Sequence, residues 1–301
     1  MLLIDGNAIL HRAYYALPDW RNRSGEATAG VYGFLSMFLK AIEEMKPTHL
    51  AVVFDTPEPT FRHNLYVGYQ SNREKERQIS EDIWGQVDKL KIVFEKMNVP
   101  VFAVPGFEAD DVIGTLASQC KMQNVECTII TGDRDLMQLV DDKVRLFMPQ
   151  KGLSDGIIVD EAKVMEKMGV HPRQIVDYKG LVGDSSDNYP GVSGIGPKTA
   201  GHLLAEYESL DKIYSEISNP KTQVPIKVRQ KLLDGYEAAK LSQQLATIKR
   251  DVSITLQLSK AEIPDKETIL EVLKQLGYKS LIKRVGGEVQ EADDKQAKLF
   301  E

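Results

Sequence analysis

The interpretation of this chain begins at Pro105-Gly106-Phe107-Glu108-Ala109-Asp110-Asp111-Val112-Ile113-Gly114, where an apolar run ends and a helical pattern begins. This stretch places three carboxylates within four residues. Carboxylates this close repel one another, and their pKa values rise unless a cation keeps them ionised; in proteins that cation is usually a divalent metal ion. Negative charge also suits a helix N-terminus, so a solvated acidic helix start stays open on this stretch alone.

The same succession of strand and acid recurs along the N-terminal half. Short apolar runs end in acids at three further places: residues 2–4 at Asp5, residues 50–54 at Asp55, and residues 127–130 at Asp133 and Asp135. Helical patterns separate these runs, at residues 8–17, 31–45, 83–97 and 110–121. Right-handed crossovers bring the carboxyl ends of parallel strands to one edge of a sheet. We therefore predict an α/β fold, a mainly parallel sheet flanked by helices, with the acids along one edge.

A second group of acids lies in a glycine-rich segment of the C-terminal half. After a predicted strand at 144–148 and a hairpin at 152–159, the pattern is mostly helical, and its centre is Gly183-Asp184-Ser185-Ser186-Asp187-Asn188-Tyr189-Pro190-Gly191-Val192-Ser193-Gly194-Ile195-Gly196-Pro197-Lys198-Thr199-Ala200. Asp184 and Asp187 are three residues apart, so they face the same ion if they lie on a helical turn. The glycines precede a helix start, where exposed amides and the helix dipole favour phosphate.

Residues 61–81 have a different composition, with few aliphatic side chains. Their basic and aromatic members are Arg62, His63, Tyr66, Tyr69, Arg73, Lys75 and Arg77. Such a stretch contributes little to a core, so we predict a projecting element that meets a phosphate backbone or bases. A solvated charged helix is the alternative. The loop at 18–30 is a second predicted exposed segment, with Arg21 and Arg23 at its tip.

Length and composition limit the class of protein. The 301 residues suffice for two globular parts, and 42% hydrophobic with 27% charged residues is ordinary for a soluble protein. A net charge of −6 is unusual for a nucleic-acid-binding protein, but acids gathered around metal ions leave the remaining surface locally positive. Cys120 and Cys127 have neither zinc nor disulfide spacing, which indicates buried thiols in a reducing compartment. With no basic leader and no apolar run of membrane-spanning length, we expect a cytoplasmic protein.

The expected organisation has four parts. We place the α/β core at residues 1–158 with its projecting element at about 61–85, a helical region at 159–250, a C-terminal extension at 251–285 and a flexible polar tail at 286–301. The extension is predicted to contain a strand at 252–256, a helix at 266–276 and a basic end.

These motifs together resemble the 5′ nuclease (5′–3′ exonuclease, flap endonuclease) domain of bacterial DNA polymerase I and its stand-alone relatives. The resemblance covers residues 2–256 in order and is carried by Asp5-Gly6-Asn7, Thr60-Phe61-Arg62, Glu108-Ala109-Asp110-Asp111-Val112-Ile113-Gly114-Thr115-Leu116-Ala117, Thr131-Gly132-Asp133 and the 183–200 segment. It implies a PIN-like core with an arch at 61–81 and a helix-three-turn-helix region that holds duplex DNA. It also implies two or more Mg²⁺ or Mn²⁺ ions, bound by Asp5, Asp55, Glu108, Asp110, Asp111, Asp133, Asp135, Asp184 and Asp187.

The resemblance further implies hydrolysis of DNA by two-metal-ion catalysis near the junction of a 5′ single strand and a duplex, in primer removal and repair. RNA–DNA primers are a further expected substrate. The implied DNA contacts are Arg21, Arg23, Arg62, Tyr69, Gly191, Gly194, Gly196, Lys198 and Thr199, and a K⁺ ion is expected at the 191–196 hairpin.

The arch departs from the family at one position. The family commonly has Tyr-Lys-x-x-Arg there, with the lysine close to the reacting phosphate, whereas this chain has Tyr69-Gln70-Ser71-Asn72-Arg73. A lost positive charge can slow the reaction by on the order of 10²-fold. The hypothesis is therefore that Gln70 slows the chemistry or that Arg73 or Lys75 compensates.

The C-terminal residues suggest a partner. The segment Gln296-Ala297-Lys298-Leu299-Phe300 resembles the short Gln-x-x-Leu-Phe peptide by which bacterial replication proteins bind the sliding clamp, with Gln296, Leu299 and Phe300 as the implied contacts. Leucine is more usual at position 297, and an uninvolved tail is the alternative. Because no polymerase domain follows within the chain, we expect a stand-alone nuclease or the partner of a separate DNA polymerase.

Three competing functions remain open from the sequence. A Mg²⁺-dependent phosphatase also places acids at strand ends, but it needs an Asp-x-Asp nucleophile, and Asn7 stands where the second acid would be. A small toxin-type ribonuclease would lack the arch and the 183–200 hairpin. A structure-selective DNA-binding protein with faded nuclease activity is compatible with Gln70, although nine carboxylates without ions would be costly to keep together.

Overall fold

The computed structural model describes residues 1–18, 20–21, 25, 27–72, 77–150 and 156–289. Six strands form one sheet: β1 (Leu2–Asp5), β2 (Leu50–Val53), β3 (Val101–Phe102), β4 (Cys127–Ile130), β5 (Val144–Met148) and β6 (Ile157–Val159). Their order is β3-β2-β1-β4-β5-β6, with the first five strands parallel and β6 antiparallel to β5. The predicted mainly parallel sheet and its fifth strand are confirmed.

Helices follow the strands in the expected alternation and then continue alone. The helices of the first half are α1 (Gly6–Ala16), α2 (Ala29–Met45), α3 (Phe61–Leu65), α4 (Arg77–Lys96) and α5 (Ala109–Met122). Those of the second half are α6 (Glu161–Met168), α7 (Ile175–Val182), α8 (Pro197–Tyr207), α9 (Leu210–Ile217), α10 (Ile226–Asp234), α11 (Tyr236–Ala246), α12 (Lys266–Gln275) and α13 (Lys279–Arg284). Single 3₁₀ turns occur at Asp135–Leu139, Pro172–Gln174 and Leu258–Lys260.

The sheet separates two hydrophobic cores. Successive side chains of a strand point to opposite faces, so Leu2 and Ile4 pack in one core and Leu3 in the other. The first core contains residues of α1, α2, α4, α12 and α13. The second contains residues of α5 and of the helices from α6 to α11. Because both faces are covered, the central strands are apolar throughout, and the polar side chains are left at the strand ends.

The helical region is joined to the core by α5 and the segment after α11. Residues 248–256 run along α5, where Thr115 Oγ1 accepts from the Val252 amide at 3.1 Å and Gln119 Oε1 accepts from the Leu256 amide at 2.7 Å. The predicted strand at 252–256 is therefore wrong. Two backbone amides of this segment bond to side chains of a helix instead of to a neighbouring strand.

Two further expectations need correction. The apolar run at 99–104, just before Pro105, predicts a third strand of that length. The strand is shorter, because β2 pairs only through Val52 with Val101 and Val53 with Phe102. The described part of the 61–81 segment does not simply project, since Arg62 and Tyr69 are almost fully buried. Among the described residues, no helix is both long and apolar enough to span a bilayer.

Candidate functional site

A cavity of about 890 Å³ opens at the carboxyl edge of the sheet. The acids that line it are the exposed Glu58, in the loop after β2, and six of the predicted metal ligands, Asp55, Glu108, Asp110, Asp133, Asp135 and Asp187. They come from the ends of β2 and β4, the first turn of α5 and the turn after α7. The parallel topology thus brings together acids that are up to 132 residues apart in the sequence, as the strand-end pattern predicted.

Asp5 lies beneath this cavity and is buried. One carboxylate oxygen caps α1 by accepting from the Ala8 amide at 3.0 Å, and the other accepts from Thr131 Oγ1 at 2.7 Å. Thr131 in turn accepts from the Asp133 amide at 2.9 Å. Burial raises the pKa of Asp5 to about 7, despite these hydrogen bonds, and the charges of Asp133 and Asp55 add to the effect. Asp5 therefore supports the loop that carries Asp133.

The acids of α5 and β2 are held by short polar contacts. Asp55 accepts from the Ala109 amide at 2.7 Å, which fixes the start of α5 against β2. Glu108 accepts from Thr60 Oγ1 at 3.2 Å. Burial raises the pKa of Glu108 to about 7 against the opposing charge of Arg62. Burial also raises the pKa of Asp110 well above its usual value, with further contributions from Asp133 and Asp5.

Asp111, which is also predicted to bind a metal ion, has a different environment from its neighbour Asp110. Its carboxylate is fully buried and accepts from Arg62 Nη1 at 2.7 Å and Nη2 at 2.9 Å, and from the amides of Glu108 and Lys249. Arg62 also donates hydrogen bonds to the carbonyls of Leu245 and Thr247 and forms an ion pair with the Glu108 carboxylate. Arg62 is thus a buried counter-ion of Asp111, and the DNA contact expected of it stays a prediction.

Tyr69 joins the two groups of acids. Its hydroxyl donates to Glu108 Oε2 at 3.1 Å or to Asp187 Oδ2 at 3.3 Å, and its ring stacks on Tyr189 with centroids 6.4 Å apart. Only 4% of Tyr69 is exposed. The side chain forms part of the cavity wall between the acids, and the DNA contact expected of Tyr69 stays a prediction.

The second group consists of Asp135, Asp184 and Asp187, whose carboxylate oxygens lie within 4.8 Å of one another. Asp184 and Asp187 converge as predicted, but on a tight turn closed by mutual backbone hydrogen bonds of 2.9 Å between Asp184 and Tyr189, not on a helix.

Lys179 is a functional candidate that the sequence analysis missed. Its ammonium contacts Asp135 and lies 2.6 Å from Asp184 Oδ2, in a side chain that is only 8% exposed. Burial raises the pKa of Asp135 to about 6 although Lys179 opposes it. At Asp184 burial also acts to raise the pKa, but the Lys179 charge and the hydrogen bonds from Lys179 and Ser186 together lower it to about 2. A lysine within the mostly apolar α7, five residues before Asp184, was the available signal.

The base of the arch packs against this acidic turn. Gln70 has a left-handed backbone with φ of 53°, and its side-chain amide donates to Asp187 Oδ1 at 3.1 Å. Its backbone amide donates to the Asp187 carbonyl at 3.0 Å, and the Asn188 side chain donates to the Gly68 carbonyl at 2.8 Å. Gln70 therefore lies inside the site. Arg73 and Lys75, the other residues predicted to act on the phosphate, lie outside the described residues.

The predicted glycine hairpin is present beside the acids. Gly191 and Gly194 have φ values of 61° and 75°, and a Cβ at Gly191 would lie 2.3 Å from the Gly183 nitrogen, so only glycine fits there. Gly196 precedes α8, and Gly194, Gly196 and Lys198 are exposed, with Thr199 half-buried. Lys231 Nζ donates to the Gly194 carbonyl at 2.9 Å.

The remaining predicted contacts lie elsewhere. Arg21 forms an ion pair of 2.9 Å with Asp82 of α4, away from the hairpin. Arg23, Gln296, Leu299 and Phe300 are outside the described residues. His11 of α1 and Trp84 of α4 also line the cavity, although the sequence analysis did not predict either residue as part of the site. Nothing in the helical pattern of the sequence sets them apart from other helix residues.

The donor set fits hard divalent cations. The groups that line the cavity from the strand ends and the acidic turn are carboxylates, and Mg²⁺, Mn²⁺ and Ca²⁺ prefer such oxygen ligands. The raised pKa values of Asp5, Glu108, Asp110 and Asp135 show that burial and mutual repulsion make these carboxylates costly to ionise without added positive charge.

Comparison with known proteins covers both regions of the chain. Residues 1–169 match the family model of the 5′–3′ exonuclease N-terminal resolvase-like domain, and residues 170–268 match that of the 5′–3′ exonuclease C-terminal SAM fold. The chain is 36% identical to DNA polymerase I of Bacillus subtilis (strain 168) over 299 residues, which cover 99% of this chain and 33% of that protein. It is 39% identical to DNA polymerase I of Deinococcus radiodurans over 282 residues, 93% of this chain and 28% of that protein. The chain thus spans about a third of the length of these relatives.

Two solved structures show the same fold at low sequence identity. The T5 5′-exonuclease with bound divalent metal ions (zinc) has a TM-score of 0.67 and 23% identity over 82% of this chain and 88% of that chain. The catalytic core of Rad2 in complex with DNA substrate has a TM-score of 0.60 and 15% identity over 94% of this chain and 92% of that chain.

Proposed function

The chain belongs to the 5′–3′ exonuclease family, and on this premise we propose that it hydrolyses DNA as a structure-selective 5′–3′ exonuclease and 5′-flap endonuclease. The observation that carries the proposal is one cavity lined by six of the predicted metal-ligand carboxylates from separate parts of the fold, with the glycine hairpin beside it. Asn7 stands where the second acid of an Asp-x-Asp phosphatase nucleophile would be, so the residues suit hydrolysis by water better than attack by a carboxylate.

Each group of acids has its own part in this proposal. Asp55, Glu108, Asp110 and Asp133 face the cavity and would hold one cation, while Asp5 orients Asp133 through Thr131. Asp135, Asp184 and Asp187 would hold another. Bound Mg²⁺ or Mn²⁺ would polarise the scissile phosphate and lower the pKa of the attacking water. The zinc-bound T5 5′-exonuclease supports divalent ions here.

The hairpin would hold the duplex part of the substrate. The exposed Gly194, Gly196 and Lys198 present backbone amides and an ammonium to phosphates, which gives binding without base readout and with steep salt dependence. The DNA-bound Rad2 core supports DNA as the ligand. A K⁺ ion at the 191–196 hairpin remains part of the proposal; duplex affinity measured in K⁺ and in Na⁺ at equal ionic strength tests it.

The biological role is proposed from the relatives. They are DNA polymerases I, so we place this nuclease in primer removal during replication and in repair, with RNA–DNA primers among its substrates and a separate polymerase as a partner. The tail residues Gln296, Leu299 and Phe300 would bind the sliding clamp. Clamp affinity that is unchanged in the Leu299→Ala, Phe300→Ala double variant would exclude this contact.

A cleavage assay on a labelled 5′-flap substrate tests the main proposal. Wild-type protein should release a product with a 5′ phosphate in Mg²⁺ or Mn²⁺, and EDTA should stop the reaction. Asp110→Asn should bind the flap but cleave far more slowly, whereas Asp234→Asn, on the exposed end of α10, should behave as wild type.

A second candidate function has one observation in its favour. Gln70 places a neutral amide beside Asp187 where the family commonly has lysine, which suits a structure-selective DNA-binding protein with weakened catalysis. Flap binding without cleavage in either metal would favour this candidate over the nuclease.

A further inference from the structure

Lys179 occupies an unusual position for a lysine. It lies on α7 with 8% of its side chain exposed, and its ammonium contacts carboxylates of Asp135 and Asp184. Lysine is rarely buried unless it is paired, and here the pairs are with two of the three acids whose oxygens lie within 4.8 Å of one another. The ammonium therefore already supplies positive charge to the carboxylates that would bind the second cation.

The hydroxyl of Tyr189, near the same three acids, is a second and independent observation. This hydroxyl is fully buried, and it has no hydrogen-bond partner among the residues that the structure describes. The ring cannot easily turn away, because it stacks on Tyr69 and packs with Leu245 and Ala246. A buried hydroxyl without a partner is costly, so its position calls for an explanation.

The hydroxyl lies within electrostatic reach of the Lys179 ammonium. Burial raises the pKa of Tyr189, and Lys179 is the charge that opposes this effect. An ammonium has three N–H donors, and Asp135 and Asp184 take two of those on Lys179. The phenolic oxygen of Tyr189 is an acceptor for an ammonium that leaves one of these carboxylates.

Competition for the carboxylate oxygens indicates why the ammonium would leave its contacts, and charge balance indicates that it would stay nearby. Three carboxylates and one ammonium sum to −2, the charge that one divalent cation neutralises. A cation bound by Asp135, Asp184 and Asp187 would compete with Lys179 for the same oxygens and would repel its ammonium at short range. The ion and the two lysine contacts are therefore mutually unfavourable.

We propose that Lys179 is the internal counter-ion of Asp135, Asp184 and Asp187, that it gives up its carboxylate contacts when a divalent cation binds there, and that the Tyr189 hydroxyl then accepts its ammonium. The inference rests on the proposed function, because it requires these acids to bind a cation. Lys179 and Tyr189 act in it as positioning residues for the cation site. In this way the acids keep a counter-charge whenever the cation dissociates.

Mn²⁺ titration of the full-length protein, followed by electron paramagnetic resonance, measures the consequence without any turnover. Lys179→Gln removes the competing charge, so the Mn²⁺ site that Asp184→Asn abolishes should tighten by about tenfold, equivalent to about 1.4 kcal/mol. Lys212→Gln removes an exposed lysine paired with Glu208 and should leave Mn²⁺ affinity unchanged. Unchanged or weaker binding in Lys179→Gln would overturn the inference.

A double-mutant cycle tests the part assigned to Tyr189. Tyr189→Phe should weaken the same site by roughly threefold in the wild-type background, and it should have no effect once Lys179 is Gln, because the displaced ammonium is then absent. Equal effects in both backgrounds would mean that Tyr189 acts only through packing and would overturn its role.

A stability measurement covers variants that fold poorly. In EDTA, Lys179→Gln should unfold at a lower temperature than wild type, and saturating Mn²⁺ should raise its unfolding temperature by more than it raises that of wild type. An equal Mn²⁺-induced increase in both proteins would contradict the inference. Failure of the proposed function looks different, since wild-type protein would then bind no Mn²⁺ at the site and would not cleave the flap.

Discussion

Raising the pH from about 5 to about 8 in EDTA is expected to destabilise the folded protein. Asp5, Glu108 and Asp135 have pKa values raised to about 7, about 7 and about 6, chiefly by burial. Across this window the folded state still holds protons that the unfolded chain has already released. Folded protein must give them up as the pH rises, so stability is highest at the acidic end and is lost as the pH passes through the folded-state pKa values.

The size of this stability loss follows from the pKa shift of Asp5, the largest of the three. For Asp5 the pKa rises from 3.8 to about 7, and the loss accrues between these two values at about 1.36 kcal/mol per pH unit. The part that falls between about pH 5 and about pH 7 is therefore on the order of 3 kcal/mol for this group alone. Glu108 and Asp135 act in the same direction, but less than additively, because protonation of one acid lowers the pKa of its neighbours. Asp184, with a pKa of about 2, contributes stability that is lost only on acidification below this window.

Urea unfolding at a series of pH values, followed by far-UV circular dichroism and the fluorescence of Trp20 and Trp84, measures this loss in EDTA and in Mn²⁺. Mn²⁺ should flatten the dependence, because bound cations keep the carboxylates ionised. Asp5→Asn keeps an acceptor for the Ala8 amide and should reduce the slope and stabilise the metal-depleted protein at the alkaline end. The matched control is Asp265→Asn, which changes an exposed N-cap of α12.

Two results would refute this reasoning. Stability in EDTA that is constant or increases between about pH 5 and about pH 8 would mean that the folded protein does not raise the pKa values of these carboxylates. An Asp5→Asn variant with the slope of wild type would mean that the burial of Asp5 does not contribute to it.

Three further predictions follow from the site. Arg62→Met should lower the free energy of unfolding by about 3–5 kcal/mol, because it leaves Asp111 buried without its partner; urea titration in which the loss is below about 1 kcal/mol would contradict the buried ion pair. Lys198→Ala should weaken duplex binding equally across sequences and lower the slope of log affinity against log salt by about 1, and an unchanged slope would exclude a phosphate contact. Gln70→Lys should raise the single-turnover rate of flap cleavage by up to on the order of 10²-fold; no change would mean that the neutral side chain beside Asp187 does not limit the reaction.

The amino-acid pattern alone was enough to predict the sheet and the edge at which the acids collect. Apolar runs of strand length, helical patterns between them and acids at the run ends leave few topologies, because parallel strands need right-handed crossovers and expose their carboxyl ends together. The glycine hairpin was equally predictable, since its positive φ angles favour glycine at 191 and 194.

Tertiary packing decided what each acid does. Asp110 and Asp111 are adjacent on α5, yet successive helix residues point about 100° apart, so one faces the cavity and the other meets Arg62, 49 residues away. Lys179 and Asp135 are 44 residues apart in the sequence, so no local sequence pattern predicts that they pair. Local sequence specifies periodicity and backbone preference, whereas the partner of a charged side chain depends on which groups the packed core brings within a few ångströms and shields from water.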